Sequence, residues 1–152
     1  MMLEKVITLA NEKVRLPFLA MERSLRATGC ELPLWVIPYD ETRFPLPQNA
    51  QWWEIPEVTG WLRAHGAITL NRKYQCLLEK NYFFADTDVV FLRNPQLVLQ
   101  NASGFIATCL HWSNHGHCYT HESKKYLCQD TTLWPLQVFN SGQFRSEEHT
   151  SE

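Results

Sequence analysis

Two aspartates, Asp86 and Asp88, stand either side of Thr87 in the run Phe83-Phe84-Ala85-Asp86-Thr87-Asp88-Val89-Val90-Phe91, wedged between apolar residues. Nothing cationic lies within four residues of them in sequence. Carboxylates placed beside a hydrophobic core are costly unless something positive neutralises them. A divalent cation, Mn²⁺ or Mg²⁺, is the natural counter-charge, because both prefer oxygen ligands from a few carboxylates plus phosphate oxygens. The competing reading is a polar turn in which both side chains cap backbone amides in solvent.

Three other groups of residues carry chemical potential. Arg72 and Lys73, upstream of the acids, suit a positive contact to an anionic ligand, or else a solvated helix face. Asp40 follows a second apolar run and suits a hydrogen-bond acceptor for a base or ribose, or a plain turn acid. Cys109, His111, His115, His117, Cys118, His121 and Cys128 crowd together further on. Soft ligands at this density suit zinc, but the cluster contains no Cys-x2-Cys pair. With Trp112, Gly116 and Tyr119 it also reads as a binding loop carrying Trp112 as a sugar-stacking platform, or as a plain surface loop. Trp52, Trp53 and Trp61 read as core or domain-edge packing.

The elements that must position these residues follow from the hydrophobic pattern. Lys5 to Ala10 is a short β-branched apolar run and predicts a buried strand. Val14, Phe18, Met21 and Leu25 recur at helical spacing, and Gly29 is a natural stop. Leu34 to Tyr39 predicts a second strand, so the chain opens strand, helix, strand, a unit that forms a parallel pair with a right-handed crossover. A loop from Asp40 to Asn49, an edge strand at Gln51 to Ile55 and a helix at Glu57 to His65 come next. Thr69 to Lys80 reads as a helix turning Tyr74, Leu77 and Leu78 inward. Tyr82 to Ala85 predicts a third buried strand that delivers Asp86 and Asp88 to its carboxyl end, where ligands bind in open α/β sheets. Pro95 to Leu99 starts a short helix. Gly104 to Cys109 and Val138 to Gly142 predict further strands.

Taken in order, these segments resemble the GT-A nucleotide-diphospho-sugar transferases. Phe84 to Phe91 with Asn94-Pro95 is similar to their DxD region, Val6 to Asn11 to their first strand, Arg72-Lys73-Tyr74 to a basic segment before the DxD, and Phe139-Asn140-Ser141-Gly142 to a turn beside the donor sugar. The resemblance implies an α/β fold, a mostly parallel Rossmann-like sheet flanked by helices. It implies a metal-dependent glycosyltransferase that moves a sugar from a nucleotide-diphosphate sugar donor to an acceptor hydroxyl. Asp86 and Asp88 would hold the metal and act with Asn140 in catalysis. Thr8, Ala10, Asn11, Asp40, Lys73, Thr87, Ser141 and Gly142 would bind the donor. The family's further metal ligand and catalytic base come from later in its chains and have no counterpart here. Two rivals compete: a non-catalytic nucleotide- or sugar-binding domain, and a haloacid-dehalogenase-like phosphohydrolase with Asp86 as nucleophile. The latter usually carries its Asp-x-Asp on the first strand, whereas more than eighty residues precede it in this chain.

The bulk properties agree with one globular domain. The chain has 152 residues, 45% of them hydrophobic and 20% charged. Its formal net charge of -2 argues against a nucleic-acid partner, which calls for a basic face. No apolar run is long enough to span a membrane, and the five cysteines, odd in number and unevenly spread, read as free thiols of a cytoplasmic protein rather than a disulfide framework. The last eight residues, Arg145 to Glu152, have no apolar residue and resemble the translation of a common sequencing adapter. They are expected to be a non-native tail on an incomplete domain at 1–144, with the C-terminal part of the fold missing. Without the tail's one Arg and three Glu, the 14 basic and 16 acidic residues become 13 and 13, a neutral segment.

Overall fold

Every residue of strand β1 (Lys5–Ala10) is buried, as a β-branched run at the centre of a parallel sheet must be. β2 (Leu34–Pro38) pairs with it in parallel on one side, Val6 against Leu34 through Ala10 against Pro38. On the other side β4 (Tyr82–Ala85) also runs parallel, Lys5 against Tyr82 and Ile7 against Phe84. β3 (Ala50–Trp52) adds a fourth parallel strand outside β2. In this computed structural model, residues 3–102, 104, 106–107 and 143–146 are described. The chain divides into two compact units, Met1–Ile106 with Gly142–Glu152 and Ala107–Ser141, and it is the first that is described below. The predicted strand at Val138 to Gly142 and the Cys/His-rich loop lie outside the described residues.

The α/β, mostly parallel sheet expected from sequence is therefore present, with helical segments packed on it. Its full order is β3-β2-β1-β4-β6-β5, where β5 is Ile106–Ala107 and β6 is Gln143–Ser146. β6 lies antiparallel to β4, Ala85 against Gln143 through Tyr82 against Ser146. Arg145 and Ser146, which the sequence assigns to a tail outside the fold, thus belong to a strand. Ladder pairing uses backbone groups only, and is indifferent to the polar side chains that removed this segment from the hydrophobic pattern.

Helix α1 (Arg15–Ala27) packs on the sheet. Val6, Ala10, Leu34, Val36 and Ala85 join Phe18, Met21 and Leu25 of α1 in one core. Phe18 meets Phe44 edge-on at 5.1 Å between ring centres, and Phe44 meets Trp52 at 5.3 Å. α1 stops where Gly29 adopts φ 76°, a value a side chain disfavours. Arg26 near its end binds the carbonyls of Cys30 and Leu32 at 2.9 and 2.8 Å and so ties the helix to the turn that leads into β2. Helix α2 (Pro56–Ala64) begins on a proline already set to the helical φ.

The segment Thr69–Leu78 is a 3-10 helix, not the expected α-helix, and its orientation is reversed. Tyr74, Leu77 and Leu78 are 53%, 63% and 64% exposed, whereas Arg72, Lys73, Gln75 and Cys76 are buried. The reason is the period. A repeat of three residues stacks Arg72 over Gln75 and Lys73 over Cys76, whereas the apolar pattern of the sequence fits 3.6 residues per turn. The buried polar groups are satisfied: Gln75 accepts from the Ile55 N–H at 3.0 Å and donates to the Trp53 carbonyl at 3.1 Å. Of the three tryptophans expected to pack inward, Trp52 and Trp53 are half-buried, while Trp61 is 60% exposed and stacks on His65 at 4.2 Å.

Candidate functional site

β1 connects through α1 to β2 on one side, while β4 flanks β1 on the other. The connections diverge between β1 and β4, and the carboxyl ends of two such strands frame a crevice. A cleft of about 550 Å³ opens there. Asp86, Thr87 and Asp88 line one side of it. Leu9, Asn11, Lys13, Val14 and Pro17 supply the opposite wall, with Tyr39 from the end of β2 and Leu70 completing the lining.

The acidic turn is held from both directions. The Val89 N–H donates to the Asp86 carbonyl at 3.2 Å, closing the turn. The Phe91 N–H then donates to Ser24 Oγ of α1 at 2.9 Å, and the Phe91 ring meets Phe83 of β4 edge-on at 6.0 Å. The apolar run Val89 to Leu92 thus folds back on the strand that precedes the acids. Asn94 caps the short helix α3 (Pro95–Val98) by accepting from the Gln96 N–H at 2.9 Å.

Burial pushes the Asp86 carboxyl above its ordinary value. Nearby Lys73 opposes the rise, and Asp88 adds to it. The two acids therefore sense one another, and the site carries negative charge in a partly desolvated place. Lys73 is 6% exposed and is not among the residues that line the cleft. Arg72, its neighbour, is committed elsewhere: it donates to the Pro38 carbonyl at 3.3 Å and to Glu41 at 3.1 Å.

Of the residues expected to bind a donor, Asn11 and Thr87 line the cleft with Asp86 and Asp88. Thr8 and Ala10 do not. Both are fully buried, and the Ala10 carbonyl accepts from the Tyr39 N–H at 2.8 Å. Side chains alternate across a strand, so β1 offers Leu9 and Asn11 to the cleft and turns Val6 and Ala10 into the core with α1. Thr8 and Ala10, expected as donor contacts, thus lie on the core-facing side of β1 and outside this lining. Asp40 is not among the lining residues either. Its Oδ1 accepts from the Thr42 N–H and hydroxyl at 2.8 and 2.5 Å, and its Oδ2 accepts from Asn11 Nδ2 at 2.7 Å. The Thr42 hydroxyl bond first, with further help from Asn11 and Lys13, holds its carboxyl below the ordinary value. Asn140, Ser141 and Gly142 lie outside the described residues.

The chain matches no protein-family model, and no curated protein matches it significantly. The site must therefore be judged on its own chemistry. Among the described residues no three His, Cys, Asp or Glu side chains converge as a metal cage. A hard dication bound together with phosphate does not need one, since it takes one or two carboxylates and keeps water or phosphate oxygens in its other positions. Two mutually repelling acids, one of them destabilised as an anion by burial, fit that donor set. Sequence reasoning missed Lys13, Tyr39 and Leu70. Lys13 was signalled only by sitting two places after Asn11, and Tyr39 by ending the second strand. No helix among the described residues is long and apolar enough to cross a membrane.

Proposed function

We propose that this chain carries the donor site of a metal-dependent glycosyltransferase, in which a nucleotide-diphosphate sugar lies in the cleft between β1 and β4. The observation that carries the reading is the delivery of Asp86-Thr87-Asp88 from the buried end of β4 into a cleft at the point where the strand connections diverge.

Each wall then has a task. Leu9, Val14, Pro17, Tyr39 and Leu70 give an apolar surface for a nucleoside. Asp86 and Asp88 would hold Mn²⁺ or Mg²⁺, which, when bound, supplies Lewis-acid stabilisation of the charge that develops on the departing diphosphate. Burial of Asp86 keeps the acid beside a low-dielectric wall, where its attraction for a cation is stronger than in bulk water. The charge of Lys73 limits the cost of ionising two acids side by side. Asn11 holds the β1–α1 connection in place by capping, with Oδ1 accepting from the N–H groups of Lys13 and Val14 at 3.1 and 3.3 Å.

The test is thermal unfolding of the whole chain with Mn²⁺ and, in turn, ADP, GDP, CDP and UDP. Selective binding to the folded state raises the melting temperature. At least one nucleotide should do so in the presence of Mn²⁺, and the shift should be lost in the Asp86→Ala, Asp88→Ala double variant. A shift that survives in the double variant removes the basis of the assignment.

A further inference from the structure

Among the described residues, Lys13 is the one cation in the cleft lining. Its backbone N–H is fixed by Asn11 Oδ1 at 3.1 Å, so its position follows from the end of β1 and not from a wandering loop. Its side chain is exposed and enters none of the ion pairs formed among the described residues. The acid it influences, Asp40, is already occupied by Thr42 and Asn11. Lys13 thus lines the cleft that Asp86 and Asp88 also line, with no ion pair among the described residues to hold its charge. It is also next in the chain to Val14, which lines the same wall.

We infer that Lys13 is a second, metal-independent anion contact, which binds the diphosphate of the ligand on the side away from Asp86 and Asp88. The inference rests on the proposed donor site and adds to it a residue that distinguishes a diphosphate-bearing ligand from a bare nucleoside. A cation held by two carboxylates and a lone ammonium across the same cleft together favour a ligand with several negative charges. A charge-assisted contact of this kind is short, directional and sensitive to salt. Lysine acts here as a point charge, so arginine can replace it in sign though not in shape.

The experiment measures binding of inorganic pyrophosphate to the full chain by calorimetry, with and without Mn²⁺ and over a series of salt concentrations. The chains compared are wild type, Lys13→Gln, Lys13→Arg and Asp86→Asn/Asp88→Asn. Lys13→Gln should weaken pyrophosphate binding about three- to tenfold and flatten its salt dependence, and Lys13→Arg should recover most of the loss. Because the side chain is exposed, Lys13→Gln should melt with wild type when no ligand is present. Equal pyrophosphate affinity and equal salt dependence in wild type and Lys13→Gln would overturn the assignment of Lys13 alone. Failure of wild type to bind pyrophosphate even with Mn²⁺ would overturn the donor site, and this inference with it.

Discussion

Asn11 donates through Nδ2 to Oδ2 of Asp40 at 2.7 Å, and this bond joins the carboxyl ends of β1 and β2 at the rim of the cleft. The same asparagine accepts two backbone N–H groups through Oδ1. One side chain therefore fixes where β1 ends, where the first helical turn starts and where Asp40 points. Asp40 in turn collects Thr42. The wall facing the acidic turn is built on this network.

Asn11→Ala removes the cap and the cross-strand bond together. It should cost about 1–2 kcal/mol of stability, in the range measured for lost caps, read by urea unfolding. Asn11→Ser retains a capping oxygen but not the reach to Asp40, and should recover only part of the loss. An unchanged midpoint for Asn11→Ala would show that the network does not hold the rim.

Asp86 gives a pH signature. Its folded carboxyl is shifted upward, chiefly by burial. A raised folded value means the group's contribution to stability is fully present below the unfolded carboxyl value of about 4 and is lost as pH rises through the folded one. In the presence of chelator, Asp86→Asn should therefore be more stable than wild type at pH 7. That advantage should shrink as the pH is lowered through the acid range. Asp40 has the opposite sign: its lowered value contributes stability above the unfolded value that is lost as pH falls through the folded one. Asp40→Asn should flatten the acid limb of the stability profile.

Arg72 and Lys73 are adjacent in sequence, yet their roles separate. Arg72 serves the Pro38 carbonyl and Glu41, and Arg72→Met leaves that buried carbonyl without this donor. The change should cost about 1–3 kcal/mol. The exposed Glu41 pairing should add little. At a temperature where the variant is folded, its affinity for pyrophosphate should match wild type.

Cys76 is inert by placement. Burial pushes its thiol up to about 11, so at pH 8 only about one molecule in a thousand carries the reactive thiolate. Alkylation followed by peptide mapping should show Cys76 modified at least about 100-fold more slowly in the folded chain than in urea. Comparable rates would show that the 3-10 segment opens readily.

The strand–helix–strand opening and the third strand were legible because apolar runs at two distinct periods, broken by Gly29 and by the Pro45 and Pro47 loop, leave few other arrangements. The bounds of β1 and β4 agree with the hydrophobic runs. Sequence alone could not give the face of each element. Thr8 and Ala10 alternate with Leu9 and Asn11, and nothing within Lys5 to Ala10, buried on both sides, tells which set meets the cleft. The 3-10 segment misled for a related reason, since Tyr74, Leu77 and Leu78 fit an apolar α-helical stripe. Only the partners of Arg72 and Gln75, on distant strands and loops, reveal the three-residue period. Asp86 and Asp88 were legible because acids between two apolar runs need a chemical reason. Lys13 and Tyr39 were not, because each joins the site only through the packing of β1 beside β2.

The most direct measurement is calorimetric titration of a nucleoside diphosphate into the chain, with Mn²⁺ and with chelator, for wild type and for Asp86→Asn/Asp88→Asn. The account predicts binding by wild type that requires Mn²⁺ and is lost in the double variant. Equal affinity in the two chains, or affinity in wild type that ignores Mn²⁺, would contradict it.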